Sequence, residues 1–357
     1  MARPLRIAQV APLFESVPPQ LYGGTERVVS YLTEELVRQG HKVTLYASAD
    51  SVTAAELVAA RPRALRLDPA SSSPVIPHQL QVEQLMRRAD DFDVIHFHGE
   101  LLHFQSLRRC ATPAITTLHG RLDIPELPPL LEEFSEARFV SISNAQREPV
   151  PWLNWVGTAY HGLPRQLYRP VPQRGGYLAF LGRISPEKRA DRAIAIARRA
   201  GLPVKIAAKV DPVDRRYFED RIEPMLHDPG VEYVGEIGEK DKQDFLGNAL
   251  ALLFPIDWPE PFGLVMIEAM ACGTPVIAYP NGSVPEVIDD GVSGFVVSSI
   301  DEAVAAVERA AALDRRRCRR AFEERFTAER MAHDYLAVYD LVAAGLAPTR
   351  VARTKLA

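Results

Sequence analysis

Glu260 and Glu268 lie eight positions apart in the run Pro259-Glu260-Pro261-Phe262-Gly263-Leu264-Val265-Met266-Ile267-Glu268-Ala269-Met270-Ala271-Cys272-Gly273-Thr274-Pro275-Val276-Ile277-Ala278. Pro261 and Gly263 interrupt the chain just after Glu260, and residues 264–272 are rich in helix formers. Gly273 fits a left-handed C-terminal cap, and residues 276–278 read as a short buried strand. Glu260 is therefore expected on a loop at the mouth of a helix, with Glu268 about one turn inside it. The amides of Phe262, Gly263 and Leu264 fall between the two carboxylates. Such amides, at the positive end of a helix dipole, suit a diphosphate. Carboxylates on either side suit sugar and ribose hydroxyls. A capped helix with two solvated glutamates has the same spacing, so the spacing alone does not decide.

A second constellation is Leu181-Gly182-Arg183-Ile184-Ser185-Pro186-Glu187-Lys188-Arg189. It follows an apolar strand expected at residues 177–181. Gly182 is expected to turn the chain at the strand end, with a helix starting near Arg189. Arg183 and Lys188 are two cations suited to stabilising a departing diphosphate, although isolated loop cations are more often solvated. In the first half, Gln20-Leu21-Tyr22-Gly23-Gly24-Thr25-Glu26-Arg27 is a glycine-rich turn that opens a helix. It is not the G-x-G-x-x-G dinucleotide fingerprint. Gly23 and Gly24 permit close backbone approach to a ligand; a plain turn capped by Thr25 is the other reading. Thr117-Leu118-His119-Gly120 ends a strand, which aims His119 at a ligand cleft or leaves it as an idle loop histidine. In Asp93-Val94-Ile95-His96-Phe97-His98-Gly99, His96 and His98 share one strand face at a spacing that metal ligands adopt. With Glu100 and His103 nearby, a metallohydrolase is a second reading of that strand.

The elements that must position these residues alternate strand and helix. The chain has 357 residues, enough for two domains of roughly 150–180 residues each. Apolar content is 47%, charged content 25% and the net charge −4, with no polybasic block, so nucleic-acid binding is disfavoured. Cys110, Cys272 and Cys318 form no CxxC pair, which suits a reducing cytoplasm. The first residues lead into a strand and do not read as a signal peptide, and no apolar run is long enough to span a membrane. Strands are expected at 5–11, 42–47, 94–98, 114–118 and 139–143, with an amphipathic helix at 25–39. The Pro- and Gly-rich stretch 162–176 reads as a linker. The pattern then restarts with strands at 177–181, 204–208, 231–234 and 251–254, and a helix at 189–200. Two Rossmann-like, doubly wound α/β domains facing each other across a cleft are the expected architecture. Helix is expected from about 327 to 343 and a frayed tail at 350–357.

The 259–278 run resembles, over its whole length, the E-x7-E signature of the retaining nucleotide-sugar glycosyltransferases of family 4, which have the GT-B fold. The 182–188 string is similar to that family's G-R-x-x-x-x-K segment. The resemblance implies residues 1–168 as an acceptor domain and 174–326 as the nucleotide-sugar donor domain, with a helix over about 327–345 crossing back to the first. It implies donor contacts from Arg183, Lys188, Glu260, Phe262, Gly263, Leu264 and Glu268. Gly23 and Gly24 are similar to a G-G-x-E loop that reaches the donor phosphate or the acceptor. His119 corresponds to a histidine on the transferred sugar, and His98 to the acceptor side. Ile237, in Gly235-Glu236-Ile237-Gly238, takes the place of a loop beside the nucleobase.

Two segments depart from the family. Ala207-Ala208-Lys209-Val210-Asp211 stands where many relatives carry a G-x-G turn, and Lys209 there is a candidate for facing the nucleotide. Tyr160-His161-Gly162-Leu163-Pro164 replaces an N-G-V-D segment. Asp91-Phe92-Asp93 mimics the DxD metal motif of the other large glycosyltransferase fold, but it precedes a strand and reads as a solvated turn.

The reaction implied is transfer of a glucose- or mannose-type hexose from a nucleoside-diphosphate sugar, a UDP-sugar by preference, with retention. No second carboxylate stands at a glycosidase spacing. The resemblance instead makes the leaving diphosphate the base, so that neither Glu260 nor Glu268 acts as one. Closure of the two halves on substrate is expected. No cofactor and no strictly required metal is expected, since the nucleotide sugar is a substrate. A phosphorylase- or epimerase-like relative and a non-catalytic nucleotide-sugar-binding module are the alternatives. The acceptor is a small molecule or a glycan, with the loops at 14–21 and 49–77 shaping its pocket. Arg61, Arg63 and Arg66 leave a peripheral membrane contact open.

Overall fold

The computed structural model describes residues 3–99, 101–173 and 175–345. Glu100, Arg174 at the expected start of the second domain, and the expected tail at 350–357 lie outside them. The chain forms two compact units. One takes in the chain up to Gly162 and again from Ala328; the other is Leu163–Thr327.

The first unit is built on a seven-stranded parallel sheet. Its strands are β1 (Arg6–Val10), β2 (Lys42–Ser48), β3 (Glu56–Arg61), β4 (Val94–His98), β5 (Ala114–Thr117), β6 (Phe139–Ser141) and β7 (Trp155–Thr158), in the spatial order β3-β2-β1-β4-β5-β6-β7. The second unit repeats the plan with six strands: β8 (Leu178–Ile184), β9 (Val204–Val210), β10 (Val231–Gly235), β11 (Ala251–Phe254), β12 (Val276–Ala278) and β13 (Gly294–Val296), in the order β10-β9-β8-β11-β12-β13. In each sheet the order reverses beside the first strand, between β1 and β4 and between β8 and β11. The carboxyl ends of strands at such a reversal are where open α/β sheets bind ligands.

Three strands escape the sequence pattern. β3 and β7 are edge strands, half-buried with one neighbour each, and their apolar runs are short, four residues at 57–60 in β3 and Trp155-Val156 in β7. β3 lies inside the stretch 49–77 expected as loop. β13 is a three-residue edge strand. One correction bears on the site: the chain does not turn at Gly182. β8 continues to Ile184 because it pairs with β9 along its whole length, Gly182 opposite Ala208 and Arg183 opposite Lys209. Likewise 207–210 is extended strand, so Lys209 stands in the sheet beside Arg183 and pairs with Asp211 at 2.8 Å.

The expected linker is stitched to the second unit. Leu163 N donates to Phe326 O at 2.9 Å and Val171 N to Cys272 O at 2.9 Å. The Arg319 guanidinium donates to the carbonyls of Tyr168 and Arg165 at 2.8 and 2.7 Å. The helix Ala328–Ala343 belongs to the first unit. It packs on a polar layer of that unit's sheet. Ala8, Val10, Ile95 and Phe97 face the apolar side with Val82 and Leu85. Gln9, His96, His98 and Thr117 lie on the other face, fully buried, where Tyr335 and Tyr339 of the helix meet them. Asp93, from the DxD-like triplet, accepts from Arg6 N at 2.8 Å and pairs with Arg3 and Arg6, so it anchors β1 to the turn before β4.

The second unit's core is aliphatic around Ile194, Ile206, Leu253, Ile277 and Phe295. One buried cation ties it together. Arg315 donates to the carbonyls of Val171, Ala249 and Gly247 at 2.7, 2.8 and 2.7 Å, and to Thr274 Oγ1 at 2.5 Å. Removing it strands two buried carbonyls and a part-buried one. Arg315→Met should therefore lower the urea-unfolding stability of this unit by about 2–4 kcal/mol. A loss under about 0.5 kcal/mol, the range of an ordinary surface substitution, would contradict this view of Arg315.

Candidate active site

In the second unit the expected residues gather beyond β8 and β11. The turn after Ile184 delivers Lys188, and the loop after Phe254 delivers Glu260. The Lys188 ammonium pairs with Glu260 Oε2, and the Trp258 indole N–H donates to the same oxygen at 3.1 Å. The ammonium also lies 4.7 Å from the centre of the Trp258 ring and 5.6 Å from that of Phe254, within cation–π range. The pair is largely withdrawn from water, its side chains 16% and 10% exposed. Both donors converge on Oε2. Among the described residues Oε1 receives no protein hydrogen bond, which leaves it for a ligand hydroxyl.

The 255–263 loop is clamped from both sides. On one side Asp257 N donates to Glu187 O at 2.8 Å. Arg189 holds Asp191 through two contacts of 2.9 and 3.0 Å and Asp257 through one of 2.8 Å. Arg189 does this from a left-handed backbone conformation, φ 57°, the one non-glycine so placed among the described residues. That conformation costs about 1–2 kcal/mol, which its charge-assisted contacts offset. On the other side Asn281 Nδ2 donates to Ile256 O and Ser283 Oγ to Phe262 O, each at 2.8 Å, and Ser283 N donates to Glu260 O at 2.9 Å. Gly282 is also left-handed, and a Cβ there would stand 2.3 Å from Glu260 O, so no larger residue fits.

The helix Leu264–Ala271 starts as the sequence suggests, with Gly263 left-handed at its N-terminus and Gly273 left-handed beyond its end. No side chain caps it, so its first amides remain available to an anion. Gly263 and Leu264 are partly exposed, whereas Phe262 is buried with its ring 6.0 Å from that of Phe326. Glu268 lies deep in the helix, 3% exposed, and accepts from Lys242 Nζ at 2.6 Å. Lys242 sits on the helix Glu239–Gly247, which begins just after the half-buried Ile237. Arg183 has a different setting from Lys188. Its guanidinium meets Glu187 at 2.7 Å, Asp211 at 3.5 Å and Asp214 at 3.7 Å. Burial, then Glu187 and Asp211, raise the Asp214 carboxyl above its usual range against the pull of Arg183.

The first unit brings its candidates to the ends of β4 and β5. His98 Nδ1 and His119 Nε2 are 3.0 Å apart, and His98 Nε2 meets Gln9 Oε1 at 2.6 Å. Gln9 Nε2 donates to the Tyr339 hydroxyl at 2.9 Å, and that hydroxyl meets His96 Nδ1 at 2.8 Å. His96 Nε2 meets Thr117 Oγ1 at 2.8 Å. All four ring nitrogens of His96 and His98 are thus engaged within the protein. Among the described residues no group of three His, Cys, Asp or Glu side chains is placed to hold a metal ion. The His161 ring stacks on His119, centres 5.1 Å apart. Burial pushes His119 down to about 3, and burial followed by the neighbouring imidazoles holds His96 and His98 well below the usual histidine range. Burial, then His119 and Arg330, does the same to His161.

At the glycine pair, the helix Gly24–Arg38 is capped by Gly23 without any side-chain bond, so Thr25 is not its cap. A Cβ at Gly23 would stand 2.7 Å from Pro19 Cβ, so packing alone already demands glycine there.

Trp258, Lys242, Arg189, Gln9 and Tyr339 were not singled out in the sequence, and His161 carried no assigned role. Only Trp258 had a local signal, an aromatic ring two residues before Glu260.

Residues 22–200 match the model of Glycosyltransferase Family 4, and residues 169–325 that of Glycosyl transferases group 1. The chain spans 29% and 57% of the length of two mycobacterial relatives. It is 25% identical over 332 residues to the phosphatidyl-myo-inositol mannosyltransferase of Mycobacterium leprae, covering 85% of this chain and 86% of that one. Among solved structures, AviGT4, a glycosyltransferase involved in avilamycin A biosynthesis, superposes with a TM-score of 0.72 at 25% identity, covering 96% of this chain and 99% of the other. HepE of Anabaena, solved with UDP-glucose, shares the fold with a TM-score of 0.68 at 15% identity, covering 95% and 100%. With two parallel Rossmann-like sheets and these matches, the chain belongs to glycosyltransferase family 4 and has the GT-B fold.

Proposed function

We propose that this chain is a retaining glycosyltransferase that moves a glucose- or mannose-type hexose from a nucleoside-diphosphate sugar to an acceptor hydroxyl. The observation that carries the reading is the Lys188–Glu260–Trp258 cluster beside the uncapped helix Leu264–Ala271. It puts a cation, a carboxylate with one open oxygen and a set of unpaired amides at one strand-end reversal. Those are the groups a diphosphate joined to a polyol needs.

In this reading the diphosphate lies over the amides at Gly263 and Leu264 and takes the Lys188 charge. Arg183 reaches the diphosphate by exchanging Glu187 for a phosphate oxygen. Glu260 Oε1 accepts from hexose hydroxyls, and Glu268, steadied by Lys242, accepts from the ribose. Ile237 covers the base. Gly23 and Gly24 let the first unit's backbone approach the donor, and His119 gives a neutral acceptor to a hydroxyl of the transferred sugar. The leaving diphosphate takes the acceptor's proton on the face from which it departs, which retains configuration without a protein base. No metal has a step in this scheme. A UDP-sugar is the first donor to try, since a protein of the same fold was solved with UDP-glucose. The acceptor pocket belongs to the first unit, with His98 behind His119. Among the described residues no helix is long and apolar enough to cross a membrane. The acceptor in this reading is a small molecule or a glycan.

Calorimetric titration with UDP, GDP and ADP, with and without Mg2+, tests the donor site. One nucleotide should bind without metal, and Lys188→Ala and Glu268→Ala should each weaken it by about tenfold or more, the loss of one charge-assisted bond. Binding of none of the three would count against the reading. The anomeric proton of the product, followed by NMR in a donor-hydrolysis or transfer reaction, should keep the donor's configuration. An inverted first product would exclude the leaving-group-base mechanism.

A further inference from the structure

The polar layer of the first unit has a direction. The oxygen of the Gln9 carboxamide can only accept, so His98 Nε2, 2.6 Å away, must carry the proton of its ring. A neutral His98 then has a bare Nδ1, and His119 Nε2, 3.0 Å from it, must donate. A neutral His119 that carries its proton on Nε2 has a bare Nδ1. That Nδ1 is buried and has no partner among the described residues. Depression of both imidazoles by burial keeps them neutral at ordinary pH.

The amide is oriented from behind. Gln9 Nε2 donates to Tyr339 at 2.9 Å, and the Tyr339 hydroxyl, having accepted, gives its proton to His96 Nδ1 at 2.8 Å. His96 then donates from Nε2 to Thr117 Oγ1. Rotating the Gln9 amide by half a turn would reverse the row. The amide N–H2 would face His98 Nε2, the His98 proton would move to Nδ1, and His119 would present an N–H where it now presents a lone pair.

We propose that Gln9, locked by Tyr339 and acting through His98, is the positioning residue that fixes His119 in its Nε2–H tautomer and reserves Nδ1 as an acceptor for a substrate hydroxyl. The ligand half of this statement rests on the glycosyl-transfer reading above; the tautomer half does not. The group facing Nδ1 must be a donor, so a hydroxyl fits, while a fluorine in its place finds lone pair against lone pair.

Long-range 1H–15N correlation of the imidazoles in the 15N-labelled full chain at neutral pH reads the tautomer directly, with His119 assigned from the spectrum of His119→Asn. His119 and His98 should both be protonated on Nε2 alone. Gln9→Met, which keeps length and removes the acceptor, should move both rings to the Nδ1–H form or to a mixture. Its turnover should fall about five- to tenfold, the worth of one hydrogen bond, with nucleotide affinity changed less than twofold. Tyr339→Phe frees the amide to rotate and should produce the same spectral change, which keeps the test available if Gln9→Met does not fold. An Nδ1–H tautomer at His119 in the unmodified chain would overturn the proposal, as would a His119 signal unmoved in either folded variant. The spectrum needs no ligand, so failure of nucleotide binding would refute the transferase reading, and the ligand half with it, without touching the tautomer half.

Discussion

The ion pair between Lys188 and Glu260 is the contact around which the second unit is arranged. Two opposite charges with so little exposure are favourable only where geometry and further hydrogen bonds compensate the lost hydration. Here the compensation is visible. Trp258 donates to the same carboxylate oxygen and offers its ring face to the ammonium, and Phe254 offers another. The carboxylate cannot turn freely, because the loop that carries it is held by Glu187 at its backbone and by Arg189 at the Asp257 side chain on one side, and by Asn281 and Ser283 at its backbone on the other. A strained Arg189 and a glycine that nothing can replace at 282 are the local costs of that rigidity. A group prepared in this way loses little entropy when a polyol arrives, which is the physical sense of preorganisation.

The first unit solves a different problem with the same type of sheet. Its central strands bury Gln9, His96, His98 and Thr117, each of which needs partners that an aliphatic core cannot give. The returning helix supplies two tyrosine hydroxyls, so among the described residues the row from Thr117 through His96, Gln9 and His98 is satisfied up to His119 Nδ1 at the strand ends. The polar row thus docks the helix and leaves its remaining hydrogen-bonding capacity where a ligand is expected. Low-dielectric burial keeps the imidazoles neutral and makes them hydrogen-bonding groups rather than charges.

The readable parts of the sequence are those whose physics is local. Pro261, Gly263 and Gly273 bracket a helix by backbone conformation alone, and the apolar runs at 94–98, 251–254 and 276–278 become strands with those bounds. Gly182 misled for the opposite reason. A glycine followed by an arginine reads as the end of a strand, yet pairing with β9, contributed from beyond the next helix, carries β8 on to Ile184. The partners of the two glutamates were illegible because they are far away in sequence. Lys242 looks like one charge among many on a polar helix, and nothing near it announces Glu268. His96 and His98 could be placed on one face by alternation, but that His96 meets Tyr339, and His98 the Gln9 amide that Tyr339 holds, depended on a residue far along the chain. Edge strands β3 and β7 stayed hidden because each is half-buried with one neighbour, and their short apolar runs, 57–60 in β3 and Trp155-Val156 in β7, do not stand out from the loops around them.

The account stands or falls on what Glu260 touches. If its open oxygen meets the hexose and nothing else of the donor, the nucleotide alone should lose no affinity when the side chain is neutralised. The most direct measurement compares the affinities of a nucleoside diphosphate and its hexose conjugate for the unmodified chain and for Glu260→Gln. With its counter-charge gone Lys188 should hold the diphosphate at least as tightly as before, whereas the conjugate should lose about tenfold or more, the effect of one charge-assisted hydrogen bond. Equal losses for both ligands, or no loss for either, would contradict it.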